Sequence, residues 1–149
     1  MNTKIIKNGF TLIELLVVIS IIGILIAISI FGLSGARESA RDARRKSDLE
    51  LIRSGLELYK ADCNAYPGSL DLTTSTTLTG NCPTANTYIE ATPTDPIVAS
   101  RYYIYAFNAV TGGYTMCTSL EQQGLSTIND CGNSSVCGGT GCNYKVTNP

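Results

Sequence analysis

From Phe10 to Leu33 the chain reads FTLIELLVVISIIGILIAISIFGL, 24 residues with one charge, Glu14. As a helix this run spans about 36 Å, enough to cross a hydrocarbon core of about 30 Å with some tilt. Many of its residues are β-branched and would favour a strand in water. In lipid only a helix satisfies its own backbone, so the pattern predicts a helix. From Ala36 to Asp62 the pattern changes, with no Pro and one Gly, Gly55. Leu49, Ile52, Leu56, Tyr59 and Cys63 recur at steps of three and four, which places an apolar stripe on one helical face. The two stretches predict one helix from Phe10 to about Asp62, roughly 80 Å long. Tyr66-Pro67-Gly68 ends it, and the Thr-rich residues 69–87 read as a polar loop. Arg101–Phe107 and Gly113–Leu120 are β-prone and joined through Thr111-Gly112-Gly113, which predicts a hairpin, and Cys142–Thr147 offers a third strand. Three strands laid on the 49–63 stripe reach the minimum for a stable layer.

Composition sharpens the division. Charged residues are 15% of the 149, below the roughly 25% of an ordinary soluble domain. There is no His, which excludes Ser-His-Asp and Cys-His catalysis, HExxH zinc chemistry and His-containing zinc fingers. The net charge of −1 argues against a globally basic nucleic-acid binder. Residues 36–60 carry seven basic and five acidic side chains, whereas residues 61–149 carry two basic and six acidic ones. All six cysteines, Cys63, Cys82, Cys117, Cys131, Cys137 and Cys142, lie in that last part. With no CxxC pair and no zinc-like spacing, they read as disulfides in an oxidising compartment rather than as a metal site. Proximity favours Cys63–Cys82. Cys117–Cys131 with Cys137–Cys142 follows for the other four, and Cys117–Cys142 across strands is the rival.

Glu14 needs an explanation. A carboxylate inside such a run costs roughly 2.5–3.5 kcal/mol on translocon scales, and an intramembrane ionisable residue is functional by default. A cleaved secretory signal does not fit, because the apolar run is too long and no A-x-A-like site follows it. An ordinary signal anchor explains the hydrophobicity but not Glu14. With no base between Lys7 and Arg37, the partner of Glu14 is expected on another molecule.

The segment Lys7-Asn8-Gly9-Phe10-Thr11-Leu12-Ile13-Glu14 resembles the class III signal of type IV pilins and type II secretion pseudopilins. The resemblance implies a leader, residues 1–9, whose Lys4 and Lys7 stay inside. It implies a prepilin peptidase that cuts after Gly9 and methylates Phe10, and an assembly role for Glu14. It further implies residues 10–35 as transmembrane and filament-core helix, 36–62 as its amphipathic continuation and 63–149 as an extracytoplasmic β domain. The fold expected is α+β, a pilin-like lollipop in which one long N-terminal helix packs on a small antiparallel sheet with disulfide-stapled loops. Cys63–Pro67 resembles the YP element ending the helix in that family, and Ile89–Pro96 the P-x-DP turn before its first strands. Many type IV pilins carry a proline in the apolar segment; here that place holds Phe31, and Gly23, Gly32 and Gly35 are the candidate weak points. Major pseudopilins bind calcium in a C-terminal loop, but Asn129–Asn133 offers one carboxylate, so no metal and no other cofactor is expected.

The function implied is a structural subunit of a pilus or pseudopilus, not an enzyme. It would polymerise with its own kind after contact with the lipid bilayer, the peptidase and an inner-membrane assembly platform. It would begin as a single-pass precursor in the cytoplasmic membrane with its C-terminal domain outside, and end in a surface or periplasmic filament. The alternative is an anchored binding module that never polymerises. Two local patterns have sharper and blander readings. The basic run Arg37–Lys46 suits anionic lipid or DNA, or else a solvated helix face paired through Glu38/Arg41, Asp42/Arg45 and Asp42/Lys46. Tyr102, Tyr103, Tyr105 and Tyr114 suit a stacking platform, or else core. The blander reading is expected in both cases. The five bases at 37–46 also conflict with the positive-inside rule, and the cysteines and the leader are weighted above it.

Overall fold

The computed structural model of the chain describes residues 9–124, 131 and 136–148, with Phe31 described in backbone only. It contains one helix, α1 (Leu12–Cys63), and five strands: β1 (Leu78–Asn81), β2 (Ala85–Ile89), β3 (Ile104–Asn108), β4 (Gly113–Thr118) and β5 (Tyr144–Thr147). The chain divides into two units between Arg37 and Glu38.

In the first unit α1 is unbroken through Gly23, Gly32 and Gly35, so the missing proline is not replaced by a glycine break. Its most apolar stretch has a mean hydropathy of 3.0 and none of it is buried within the protein. The Ser20 and Ser29 hydroxyls donate to the carbonyls of Leu16 and Leu25 at 2.7 and 2.8 Å. Those bonds satisfy polar side chains that lipid would leave unpaired.

In the second unit the predicted stripe is the floor of the core. Leu49, Ile52 and Leu56 are fully buried and meet Tyr66, Leu72, Leu78, Ile89, Tyr103, Tyr114, Met116 and Val146. Gly55 lies on the same face because the Ile89 side chain occupies the space a Cβ would need. The helix ends at Cys63, where Asn64 takes a left-handed φ of 55° and donates its N–H to the Lys60 carbonyl at 2.8 Å.

The order β3-β4-β5 is antiparallel throughout, as the hairpin and third-strand expectations require. Tyr114 and Met116 face the helix. Cys117 faces the other way and is buried with Cys131, Cys137 and Cys142 against Ile104. The sheet is therefore covered on both faces, by helix on one and cystine loops on the other. That is why almost all of β4 is buried and not merely alternate residues. The bridges are Cys63–Cys82, Cys117–Cys131 and Cys137–Cys142, with Cα separations of 4.9, 6.0 and 5.1 Å. The rival Cys117–Cys142 does not form, since the β4–β5 register sets Cys117 opposite Lys145.

Two expectations are corrected. The stretch 69–87 is not all loop, because β1 and β2 form an antiparallel hairpin there, ahead of the Pro93–Pro96 turn instead of after it. Leu78 and Ile89 anchor the hairpin to the stripe while Ala85, Asn86 and Thr87 are exposed, so no apolar alternation marks it. The basic run is a solvated face only in part, as Arg45 and Asp42 are buried while Arg37, Arg44 and Lys46 are exposed.

Candidate functional site

Gly9 and Phe10 precede the helix and are exposed. A Cβ on Gly9 would meet open space and its φ is ordinary. Neither packing nor backbone strain within the chain therefore calls for glycine there. Thr11 is the N-cap of α1. Its N–H and hydroxyl donate to Glu14 Oε2 at 3.0 and 2.7 Å, and the Glu14 N–H donates back to Thr11 Oγ1 at 3.3 Å. This is a reciprocal capping box. It was legible as T-x-x-E and was overlooked because the surrounding run is apolar. The Glu14 carboxylate is thus held at the helix start by hydrogen bonds, with no cation beside it among the described residues. Lys4 and Lys7 lie outside the described residues.

A second constellation ties the helix to the loops of the second unit. The fully buried Arg45 guanidinium grips Asp95 with two bonds, Nε to Oδ2 at 2.7 Å and Nη2 to Oδ1 at 3.0 Å. Its Nη1 reaches Asp42 Oδ1 and Glu121 Oε1, both at 2.7 Å. Arg41 Nε donates to Glu121 Oε1 at 2.8 Å, and its Nη2 bonds the other carboxylate oxygen. Asp42 in turn accepts the backbone N–H groups of Glu121 and Gln122. Asp95 accepts that of Ile97 at 2.8 Å. Of the intrahelical pairs the spacing offered, Asp42–Arg45 forms, while Arg41 turns to Glu121. Sequence reasoning missed this cluster because two of its acids, Asp95 and Glu121, are 50 and 76 residues from Arg45. Arg37, Arg44 and Lys46 remain exposed, with Lys46 lying 5.5 Å from the Tyr144 ring centroid.

Burial by itself would lower the Arg45 pKa, but the bonds to Asp95 and Glu121 outweigh it and raise it. Hydrogen bonding from Arg41, then from Arg45, pulls Glu121 down from 4.5 to about 2. A depressed carboxylate stabilises the fold above its unfolded pKa, and that contribution disappears as pH falls through the folded value. The urea midpoint of the chain should therefore drop between about pH 4.5 and about pH 2. Glu121→Gln, lower in midpoint at neutral pH, should show a flatter profile across that window. Parallel profiles would remove Glu121 as the cause.

Tyr103, Tyr114 and the partly buried Tyr105 belong to the core, as the blander reading had it, while Tyr102 is half-buried and outside the core cluster. Tyr103 and Tyr114 are buried, and Tyr114 packs against Tyr66 and Tyr105 at centroid distances of 4.7 and 5.8 Å. Two of their hydroxyls land on helix acids, Tyr103 donating to Asp48 at 2.7 Å and Tyr66 to Glu57 at 2.8 Å, while Tyr105 donates to the Pro67 carbonyl at 2.6 Å. The acidic residues of the helix thus serve as latches for the sheet. The stretch 129–133, apart from Cys131, lies outside the described residues.

A family model described as the prokaryotic N-terminal methylation motif matches residues 6–33, and one described as type II secretion system (T2SS), protein G matches residues 33–148. The type II secretion system core protein G of Pectobacterium carotovorum subsp. carotovorum is 38% identical over 97 residues, covering 60% of this chain and 62% of its own. That of Escherichia coli (strain K12) is 35% identical over 96 residues, covering 60% and 66%. That of Aeromonas hydrophila is 41% identical over 61 residues, covering 41% and 43%. The chain spans less than two thirds of the length of each of these relatives. No solved structure matches.

Proposed function

Because the chain belongs to the type II secretion system protein G family, we propose that it is a structural subunit of a pseudopilus, processed at Gly9 and polymerised through its N-terminal helix. The observation that carries this reading is the head of α1. A fully exposed apolar segment opens with Gly9-Phe10, and its one charge, Glu14, is capped by Thr11 yet has no cation beside it among the described residues. A non-polymerising anchor needs neither Gly9 nor Glu14. The choice between pilus and pseudopilus, open in the sequence, falls to pseudopilus on family grounds.

The steps follow from charge. Lys4 and Lys7 hold the leader on the cytoplasmic side, and a prepilin peptidase cuts after Gly9 and methylates the new amine of Phe10. That amine is a cation at the very end of an apolar helix, and Glu14 is an anion about one turn further in. Within one subunit both are strained by lipid. Between neighbours at one axial offset, each meets the other, and leaving either alone is costly. The pair therefore sets register as the assembly platform draws the subunit out of the bilayer. The Thr11 bonds keep Glu14 at the helix start until a neighbour's amine arrives. The chain itself breaks no bond.

We read residues 63–149 as lying outside the cytoplasm, and the three disulfides support that reading. Gly9→Ala tests the processing step. It should leave the fold unchanged, since its Cβ meets open space, and should leave only the unshifted precursor on a gel. Mature-length chain in that variant would overturn the assignment of Gly9.

A further inference from the structure

The β1–β2 hairpin is braced beyond what its burial requires. Thr79, Asn81, Ala85, Asn86 and Thr87 are exposed, so its tip adds little to the core. Yet the tip is tied to the helix end by Cys63–Cys82. The Tyr88 ring stands edge-on to Tyr59 at 5.4 Å, and its hydroxyl donates to Asp62 at 2.8 Å. Asn86 Nδ2 reaches the same carboxylate at 3.4 Å. Gly80 passes so close beneath Tyr59 and Tyr88 that a Cβ there would lie 2.9 and 3.0 Å from their rings. Stiffness without burial is what a preorganised recognition surface needs, because less ordering remains to be done on binding.

Between helix and hairpin opens a cleft of about 630 Å³, walled by Tyr59, Thr79, Asn81, Asn86 and Thr87 over Gly80. That volume lies within the range of small-molecule sites. No charged side chain lines it. Among the described residues, the hydroxyls of Tyr59, Thr79 and Thr87 and the amide of Asn81 hydrogen-bond to no other protein group, so they face the cleft or solvent. Each of these groups can both donate and accept.

We propose that this cleft binds a neutral saccharide, its ring face against Tyr59 and its hydroxyls on Thr79, Asn81 and Thr87. A sugar hydroxyl donates and accepts at once and so matches such amphoteric partners. The absence of charge disfavours phosphates and acidic ligands.

The test is an amide chemical-shift titration of the full chain in detergent micelles, with cellobiose and N,N′-diacetylchitobiose as probes and gluconate as charged control. Saturable shifts confined to Gly80, Asn81, Asn86 and Thr87 with one of the two sugars are expected. Asn81→Ala, which touches no core residue, should weaken that binding about tenfold, and Tyr59→Leu should do the same. No saturable shift with either sugar, equal affinity in Asn81→Ala, or shifts that depend only on protein concentration would overturn the proposal. The last outcome would give the cleft to a second copy of the chain. The measurement needs no filament, so it stands apart from the assembly reading.

Discussion

Replacing Glu14 with alanine should leave the chain in the membrane and all but remove it from sheared filaments. Insertion should not suffer, because the substitution deletes a group that costs roughly 2.5–3.5 kcal/mol in an apolar helix. Processing should not suffer either, since the cut lies five residues earlier. On the proposed pairing, what is lost is the anion that meets a neighbour's Phe10 amine, and an unpaired amine is costly in a bundle of apolar helices. Because Glu14 also completes the Thr11 capping box, alanine alone does not separate helix capping from ion pairing. Glu14→Gln does, because its side-chain oxygen still accepts from Thr11 but carries no charge. Both variants should remain in the membrane fraction at normal levels and fall at least about tenfold in the filament fraction, the equivalent of roughly 1.4 kcal/mol per subunit contact. If the glutamine variant assembles normally, the capping box and not the charge is what assembly needs.

Arg45→Ala should be the most damaging single substitution in the second unit. Arg45 and Asp95 are both fully buried, and truncating the cation leaves Asp95 charged in the core and strips Glu121 and Asp42 of a shared donor. Removing one partner of a buried pair costs about 3–5 kcal/mol, a large part of the 5–15 kcal/mol that holds an ordinary domain together. The cost is that of an orphaned charge, so Arg45→Met combined with Asp95→Leu should be less destabilised than Arg45→Met alone. Urea titrations of the oxidised chain at neutral pH, read as a double-mutant cycle, check both statements. A loss below about 1 kcal/mol for Arg45→Ala would mean that the cluster behaves as a surface pair.

What could be read from the chain in advance follows the range of the interactions involved. The apolar run, the 49–63 stripe and the β3–β4 hairpin are local patterns, and the structure reproduces them. The disulfides fell to proximity because each bridge closes a short loop, with separations of 19, 14 and 5 residues. The β1–β2 hairpin stayed hidden because Ala85, Asn86 and Thr87 are exposed, so only Leu78 and Ile89 carry an apolar signal. The burial of Arg45 stayed hidden for a different reason. Arg41, Arg44 and Arg45 look alike in sequence, and only the distant Asp95 and Glu121 decide which one enters the core. The cystine layer over β4 has no local signal, since it depends on which face of the sheet the loop after β4 returns to.

The central claim is that the chain is cut at Gly9 and built into a filament through the new N-terminus. Intact-mass and N-terminal analysis of sheared filaments tests it most directly. The expected subunit begins at an N-methylated Phe10 and is 140 residues long after loss of nine from 149, with all six cysteines oxidised in three bridges. A chain recovered only from membranes, or one in filaments that still begins at Met1, would contradict it.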